Sequence, residues 1–234
     1  MNIVITAGGV SERIDNVRKI TNSSSGKLGL VIADKLLERD DVSITYICSK
    51  NSLRPNSDRV KVVEVDGTFD LRDKVIKVLN DSYVDYFIHS MAVSDYTTDY
   101  VTTIDRIKES VRCYDNLDDA FSNIEVIGGS KISSNEDNLV IVLKPTPKII
   151  SIIKDISPST YLVGFKLLDG VSYEELISVA KKLRDKNKCD FVVANDLENI
   201  RGGCHIAYII DRGDNIEEAY GKDDIAKKLV KKIK

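Results

Sequence analysis

The sequence has no tryptophan, two histidines, four prolines and four cysteines in 234 residues, and each scarcity removes a class of protein. Cys48, Cys113, Cys189 and Cys204 form no Cys-x-x-Cys pair, and His89 and His205 stand at no metal-ligand spacing from them. A zinc site is therefore not expected. Met1 runs directly into the strand-like Asn2-Ile3-Val4-Ile5-Thr6 without a leader pattern. The cysteines are expected as buried free thiols in a reducing cytoplasm rather than as disulfides. No apolar run reaches the ~20 residues that span a bilayer. Charge is nearly balanced, 34 Lys+Arg against 37 Asp+Glu for a net of −3, which supplies no general attraction to nucleic acid or to an anionic membrane. Neither histidine sits beside a serine or cysteine nucleophile elbow, which disfavours covalent hydrolase chemistry. Both are read as structural, with His89 a hydrogen-bonded core imidazole at the end of an apolar strand.

The composition that remains, 42% hydrophobic and 30% charged, is globular, and the length suits one domain over residues 1–234. Short β-branched runs alternate with helical patterns. Strands are expected at 3–5, 42–48, 60–65, 84–89, 139–143, 161–165, 191–194 and 206–210. Helices are expected at 26–39, 70–79 with Asp70 as N-cap, 148–155, 172–186 with a Ser172 capping box, and 223–233. This alternation reads as βαβ units, hence an α/β fold with a Rossmann-like, doubly wound, mostly parallel sheet. Residues 94–138, rich in Thr, Asp, Ser and Asn, show no sustained period and read as an inserted arm or lid.

Ligands of such a sheet lie beyond the carboxyl ends of its strands. Four ends carry small or polar residues: Thr6-Ala7-Gly8-Gly9, His89-Ser90-Met91-Ala92, Gly164-Phe165-Lys166 and Ala194-Asn195-Asp196. Glycine and asparagine also make ordinary turns, so the case rests on the four together. The loop Thr21-Asn22-Ser23-Ser24-Ser25-Gly26-Lys27-Leu28-Gly29 places hydroxyls, glycines and a lysine before a helix, a pattern suited to phosphate. It is neither a Walker A loop nor a GxGxxG turn. A plain serine N-cap would leave the same trace. Asp95 after the fourth strand could ligate a phosphate-bound Mg²⁺ or simply form a turn. Lys131 on the irregular arm could close over a polyphosphate or be a solvated lysine. Lys182 and Lys186, one helical turn apart, could face one anion or line a solvated helix face.

Taken together these segments resemble the phosphopantothenate–cysteine ligase family. The resemblance is carried by Ile5-Thr6-Ala7-Gly8-Gly9, by the stretch from Ile14 through Arg18 and Asn22 to Gly29, and by Ala92-Val93-Ser94-Asp95-Tyr96. It continues through Lys131-Ile132-Ser133-Ser134, Lys144-Pro145-Thr146-Pro147-Lys148-Ile149-Ile150, Val163-Gly164-Phe165-Lys166 and Ala194-Asn195-Asp196. It implies a cytoplasmic enzyme of coenzyme A biosynthesis. CTP would activate phosphopantothenate as an acyl-cytidylate with release of pyrophosphate, and the cysteine amine would then displace CMP. The resemblance further implies Mg²⁺, no flavin, a homodimer, and a flavin-dependent decarboxylase as a separate protein, with this chain the stand-alone bacterial form.

Carried over by position, Asn22 and Lys131 are the expected catalytic residues, for the cysteine-coupling and nucleotidyl-transfer steps respectively. Gly8, Gly9, Ser24, Ser25, Gly26, Lys27, Asp95, Pro147, Lys148, Ile149, Ile150, Phe165, Lys182 and Lys186 are expected around the nucleotide, the last two with their spacing to Asp190 shifted by one residue. Asn22, Ala92 and Asn195 are expected at the substrate, and Asp95 at the metal. Residues 94–138 become the dimerisation arm and active-site flap. Val10 and Ser130 depart from the family's usual hydroxyl residue and glycine. A nicotinamide-dependent oxidoreductase is the alternative, and the absence of GxGxxG and of a Tyr-x-x-x-Lys set counts against it. A nucleotide-binding module without catalysis is a third reading.

Overall fold

Runs of isoleucine and valine are stiff at χ1 and favour strands, and the computed structural model, which describes every residue except Cys204, pairs most of them in one sheet. In chain order the elements are β1 (Asn2–Ala7), β2 (Ser11–Arg13), β3 (Lys19–Thr21), α1 (Lys27–Leu36), β4 (Ser43–Ser49), β5 (Val60–Val65), α2 (Thr68–Asp81) and β6 (Tyr86–His89). Then follow β7 (Tyr96–Thr103), α3 (Ile104–Cys113), α4 (Leu117–Ser122), β8 (Leu139–Pro145), α5 (Ile149–Ile156), β9 (Tyr161–Leu168) and α6 (Tyr173–Asn187). The chain ends with β10 (Phe191–Asp196), α7 (Leu197–Arg201), β11 (Ile206–Asp211), β12 (Ile216–Tyr220) and α8 (Gly221–Lys232).

Among the described residues, eight strands pair in the order β12-β11-β10-β9-β6-β1-β4-β5. The six from β5 to β10 are parallel, and β11 and β12 are antiparallel additions. This is the expected mostly parallel, doubly wound sheet. On one face, Ile3, Ile5, Ile44 and Ile88 pack under α1 and α8 through Ile32, Leu36, Ile225 and Leu229. On the other, Val4, Ile47, Phe87 and Val192 pack under α2, α5 and α6 through Leu71, Val75, Ile153 and Leu176. Each such side chain, fully buried, contributes roughly 1.5–3 kcal/mol.

The chain runs from β1 to β4 and β5 on one side, then crosses back to place β6 on the other side of β1. The carboxyl ends of β1 and β6 therefore flank the point where the winding reverses, which is where such sheets open a crevice.

Three expectations change. The stretch after Ser94 is not irregular: β7 and β8 form a separate antiparallel ribbon and carry α3 and α4 between them. β7 is largely polar, β8 leaves Leu139, Ile141 and Leu143 exposed, and the segment after α4 lacks regular structure. Asp70 is not the N-cap of α2. The cap position is Gly67, and the buried Glu12 carboxylate, reaching across from β2, accepts the Thr68 N–H at 2.8 Å and its hydroxyl at 2.6 Å. Cys113 is exposed because α3 packs only on the arm, whereas Cys48 and Cys189 are buried free thiols and Cys204 lies outside the described residues. Burial pushes the Cys189 thiol up to about 12. No described helix is long and apolar enough to cross a membrane.

Candidate active site

The crevice is built from backbone first. The Gly8 carbonyl accepts the Ala92 N–H at 2.8 Å, and the Ala92 carbonyl accepts the Val10 N–H at 3.0 Å, so the segments after β1 and β6 run on side by side. The serine-rich loop crosses them. Asn22 donates its backbone N–H to the Val10 carbonyl at 3.2 Å. Its own carbonyl lies so close that a Cβ at Gly9 would stand 1.9 Å from it, which no side chain permits. Gly26 ends the loop at φ +77°, a left-handed conformation natural to glycine. Its Cβ, if present, would meet the Gly8 backbone at 3.2 Å.

From Gly26 the chain enters α1, which has no acidic residue in its first turn and no side-chain cap at Gly26. Only the Lys27 N–H turns back, to Ser25 Oγ at 3.3 Å. The loop is held from the far side by the Leu53 N–H, bonded to the Ser25 carbonyl at 2.9 Å. Ser24, Ser25 and Lys27 are exposed, and Asn22 is half-buried with its amide unbonded to any described residue. The result is an open helix N-terminus beside small backbone, with positive dipole and free N–H groups turned toward the crevice.

A second group lies where β6 leads into the arm. The Thr146 N–H and hydroxyl bond the carbonyls of Asp95 and Ser94, bringing the start of β7 against the segment before α5. There the exposed Asp95 carboxylate is ion-paired to Lys148. Pro147 and Lys148 lead into α5, where Ile149 is buried. Ile150 reaches Gly164, whose added Cβ would meet its Cδ1 at 3.1 Å. Phe165 and Lys166 follow on β9, both half-buried.

The remaining candidates fall differently. Asn195, next to last in β10, is buried, with its amide nitrogen 2.9 Å from His205 Nε2. Asp196 is not available to a ligand: it is buried, and its carboxylate accepts the N–H groups of Glu198, Val171 and Gly170. Those bonds, Val171 first, hold it below the usual carboxylate range. Lys131 is exposed on the segment after α4, and its neighbour Ile132 is buried. Lys182 and Lys186 are not brought to the crevice within this chain. α6 runs antiparallel to β9 and β10, so its last two turns lie toward the strands' amino ends, and both lysines are exposed there.

His89 is a core imidazole as expected, its Nδ1 2.7 Å from Thr6 Oγ1, and burial depresses it to about 4, so it is neutral at pH 7. Sequence reading passed over Ser49 and Ser52, whose hydroxyls meet at 2.6 Å under Gly8, and gave no role of its own to Ser90, within a flagged strand end, which bonds the Thr6 carbonyl at 2.7 Å. It also passed over Asp15. Only serine-rich strand ends could have singled out the first three.

The sequence matches the family described as DNA/pantothenate metabolism flavoprotein C-terminal domain over residues 1–116 and 122–234. It is 34% identical over 196 residues to the coenzyme A biosynthesis bifunctional protein CoaBC of Thermococcus kodakarensis, covering 84% of this chain and 41% of that protein. The chain spans about half the length of the curated relatives it matches, 50% for the CoaBC of Methanocaldococcus jannaschii. The crystal structure of the DNA/pantothenate metabolism flavoprotein from Streptococcus pneumoniae is 38% identical with a TM-score of 0.86, covering 100% of this chain and 98% of that one. A Cab2 mutant in complex with phosphopantothenate-cysteine is 14% identical with a TM-score of 0.71, covering 99% of this chain and 85% of that one, and shares the fold. The oxidoreductase alternative finds no support among these likenesses. The chain belongs to the DNA/pantothenate metabolism flavoprotein C-terminal domain family.

Proposed function

We propose that this family member is a phosphopantothenate–cysteine ligase of coenzyme A biosynthesis, using CTP through an acyl-cytidylate. The observation that carries the reading is the union, at the β1/β6 crevice, of the open α1 N-terminus with Gly8, Gly9, Asn22 and Ala92. That is a cradle for phosphate groups, and it stands in a chain related to proteins named for this pathway.

In the first step the phosphopantothenate carboxylate attacks the CTP α-phosphate and pyrophosphate leaves. In the second the cysteine amine attacks the acyl carbon and CMP leaves. Neither step needs a protein nucleophile. The loop N–H groups, Ser24, Ser25 and Lys27 bind phosphate oxygens, and Lys131 neutralises charge that develops at the α-phosphate. Asn22 holds the acyl-cytidylate for the amine. Pro147, Lys148, Ile149, Ile150 and Phe165 border the nucleotide, and Asn195 contacts substrate.

The residues fit a Mg²⁺ carried on nucleotide phosphates, with Asp95 as its single carboxylate once Lys148 turns to phosphate. No three His, Cys, Asp or Glu side chains gather into a metal cluster among the described residues. When bound, the ion supplies charge neutralisation. The chain acts as a homodimer through residues 94–138, where Tyr96, Leu117 and Phe121 are each more than half exposed. Lys182 and Lys186 serve the nucleotide only if the partner subunit brings it to them. The free thiols of Cys48 and Cys189 suit a cytoplasmic setting. Flavin chemistry would belong to the decarboxylase that consumes the ligase product, because the carboxylate it removes enters only with cysteine.

Pyrophosphate release tests the first step. With CTP, Mg²⁺ and phosphopantothenate but no cysteine, a burst is expected, and it should vanish without phosphopantothenate. Lys131→Gln should slow the burst on the order of 10-fold, less than the loss of an enclosed donor. An unchanged burst in that variant would remove Lys131 from the step.

A further inference from the structure

We infer that Asp15 is a positioning residue whose carboxylate clamps residues 130–132 onto the β2–β3 turn and so fixes where Lys131 stands. The part played by Lys131 rests on the ligase reading; the clamp rests on geometry alone.

The Asp15 side chain is 2% exposed. Its Oδ1 accepts the N–H groups of Val17 and Arg18, both at 2.7 Å, closing a local Asx turn. That turn needs only one oxygen. Oδ2 faces the other way and accepts the Ile132 N–H at 3.1 Å, from a residue 117 positions along the chain. Arg18 completes the grip: its Nη2 donates to the Ile132 carbonyl at 2.9 Å, and its Nε lies 3.8 Å from Asp15 Oδ2. The Asn16 N–H adds a bond to the Ser130 carbonyl at 3.1 Å.

Both neighbours of Lys131 are thus pinned, Ser130 through its carbonyl and Ile132 through both peptide groups, while the lysine itself stays exposed. The pinning turn continues through β3 directly into Asn22, which is tied to Val10. The groups assigned to the two chemical steps therefore ride on one piece of backbone. The carboxylate is ionised at neutral pH, because the Arg18 and Val17 N–H groups hold it below the usual range.

Asp15→Asn separates the two roles. Its Oδ1 can keep the Val17 and Arg18 bonds, but an NH₂ replaces Oδ2 and faces the Ile132 N–H, donor against donor. In the full-length protein, amide exchange at Ile132 should accelerate about tenfold or more, with Val17 and Arg18 unchanged. Arg18→Met, which removes the partner of the Ile132 carbonyl, should also accelerate exchange around residue 132. Pyrophosphate release should slow on the order of tenfold in Asp15→Asn, and no further when that change is added to Lys131→Gln. Unchanged exchange at Ile132, or kinetic losses that multiply, would overturn the clamp. A parent protein that releases no pyrophosphate would sink the ligase reading, and exchange at Ile132 would still decide the clamp.

Discussion

Asn22→Asp is expected to lower formation of phosphopantothenoylcysteine by roughly 10²–10³-fold, the range found when one well-placed donor to a developing charge is lost. Release of pyrophosphate from CTP should continue. The substitution keeps the size of the side chain and leaves the backbone bond from residue 22 to Val10 intact. What it removes is an amide donor with no bond to any described residue, half-buried between Gly9 and the α1 N-terminus. What it adds is a negative charge at the place where the ligase reading brings anionic substrates. Following pyrophosphate and coupled product separately checks this. A parent-like rate of product formation would take Asn22 out of the chemistry.

Lys154→Met is expected to destabilise the protein by about 3 kcal/mol, at the lower end of the range for breaking a buried ion pair. Lys154 on α5 is 7% exposed, and its ammonium lies 3.0 Å from the Asp190 carboxylate and 2.5 Å from the Thr160 carbonyl. Methionine fills the space but leaves Asp190 buried, with the Leu162 N–H and the largely exposed Arg212 as its remaining partners. At about 2–4 °C per kcal/mol for a chain of this size, the midpoint should fall by roughly 6–12 °C. The pair lies at the amino ends of β9 and β10, away from the crevice, so activity well below the midpoint should stay within about twofold of the parent. Calorimetry showing a fall under 2 °C would contradict the assigned role.

The parallel sheet was legible because its strands are continuous apolar runs, Ile3-Val4-Ile5 and Phe87-Ile88 among them, buried on both faces. The arm was not, for the reverse reason. Residues 96–103, Tyr-Thr-Thr-Asp-Tyr-Val-Thr-Thr, pair in a ribbon outside the main sheet, and their buried positions are mostly threonine, Thr97, Thr102 and Thr103 beside Val101, so no apolar alternation marks them. The caps by Thr103 on α3 and Asn116 on α4 were the available signals there. Asp70 was misread because the true cap, Glu12, lies 56 positions upstream, beyond any local spacing rule. Asp15 shows the same limit: its turn with Val17 and Arg18 is local, but its bond to Ile132 exists only in the folded chain. The turn of the serine loop into α1 was legible because glycines, hydroxyls and a helix start coincide there. Lys182 and Lys186 show how little spacing says about placement, since both stand at the wrong end of α6 for the crevice in their own chain.

The ligase reading meets its most direct measurement in mass detection of product from purified protein given phosphopantothenate, cysteine, Mg²⁺ and CTP, with ATP in a parallel reaction. Phosphopantothenoylcysteine should accumulate with CTP, matched one for one by CMP and pyrophosphate. Nucleotide binding without that product, with CTP or with ATP, would refute it.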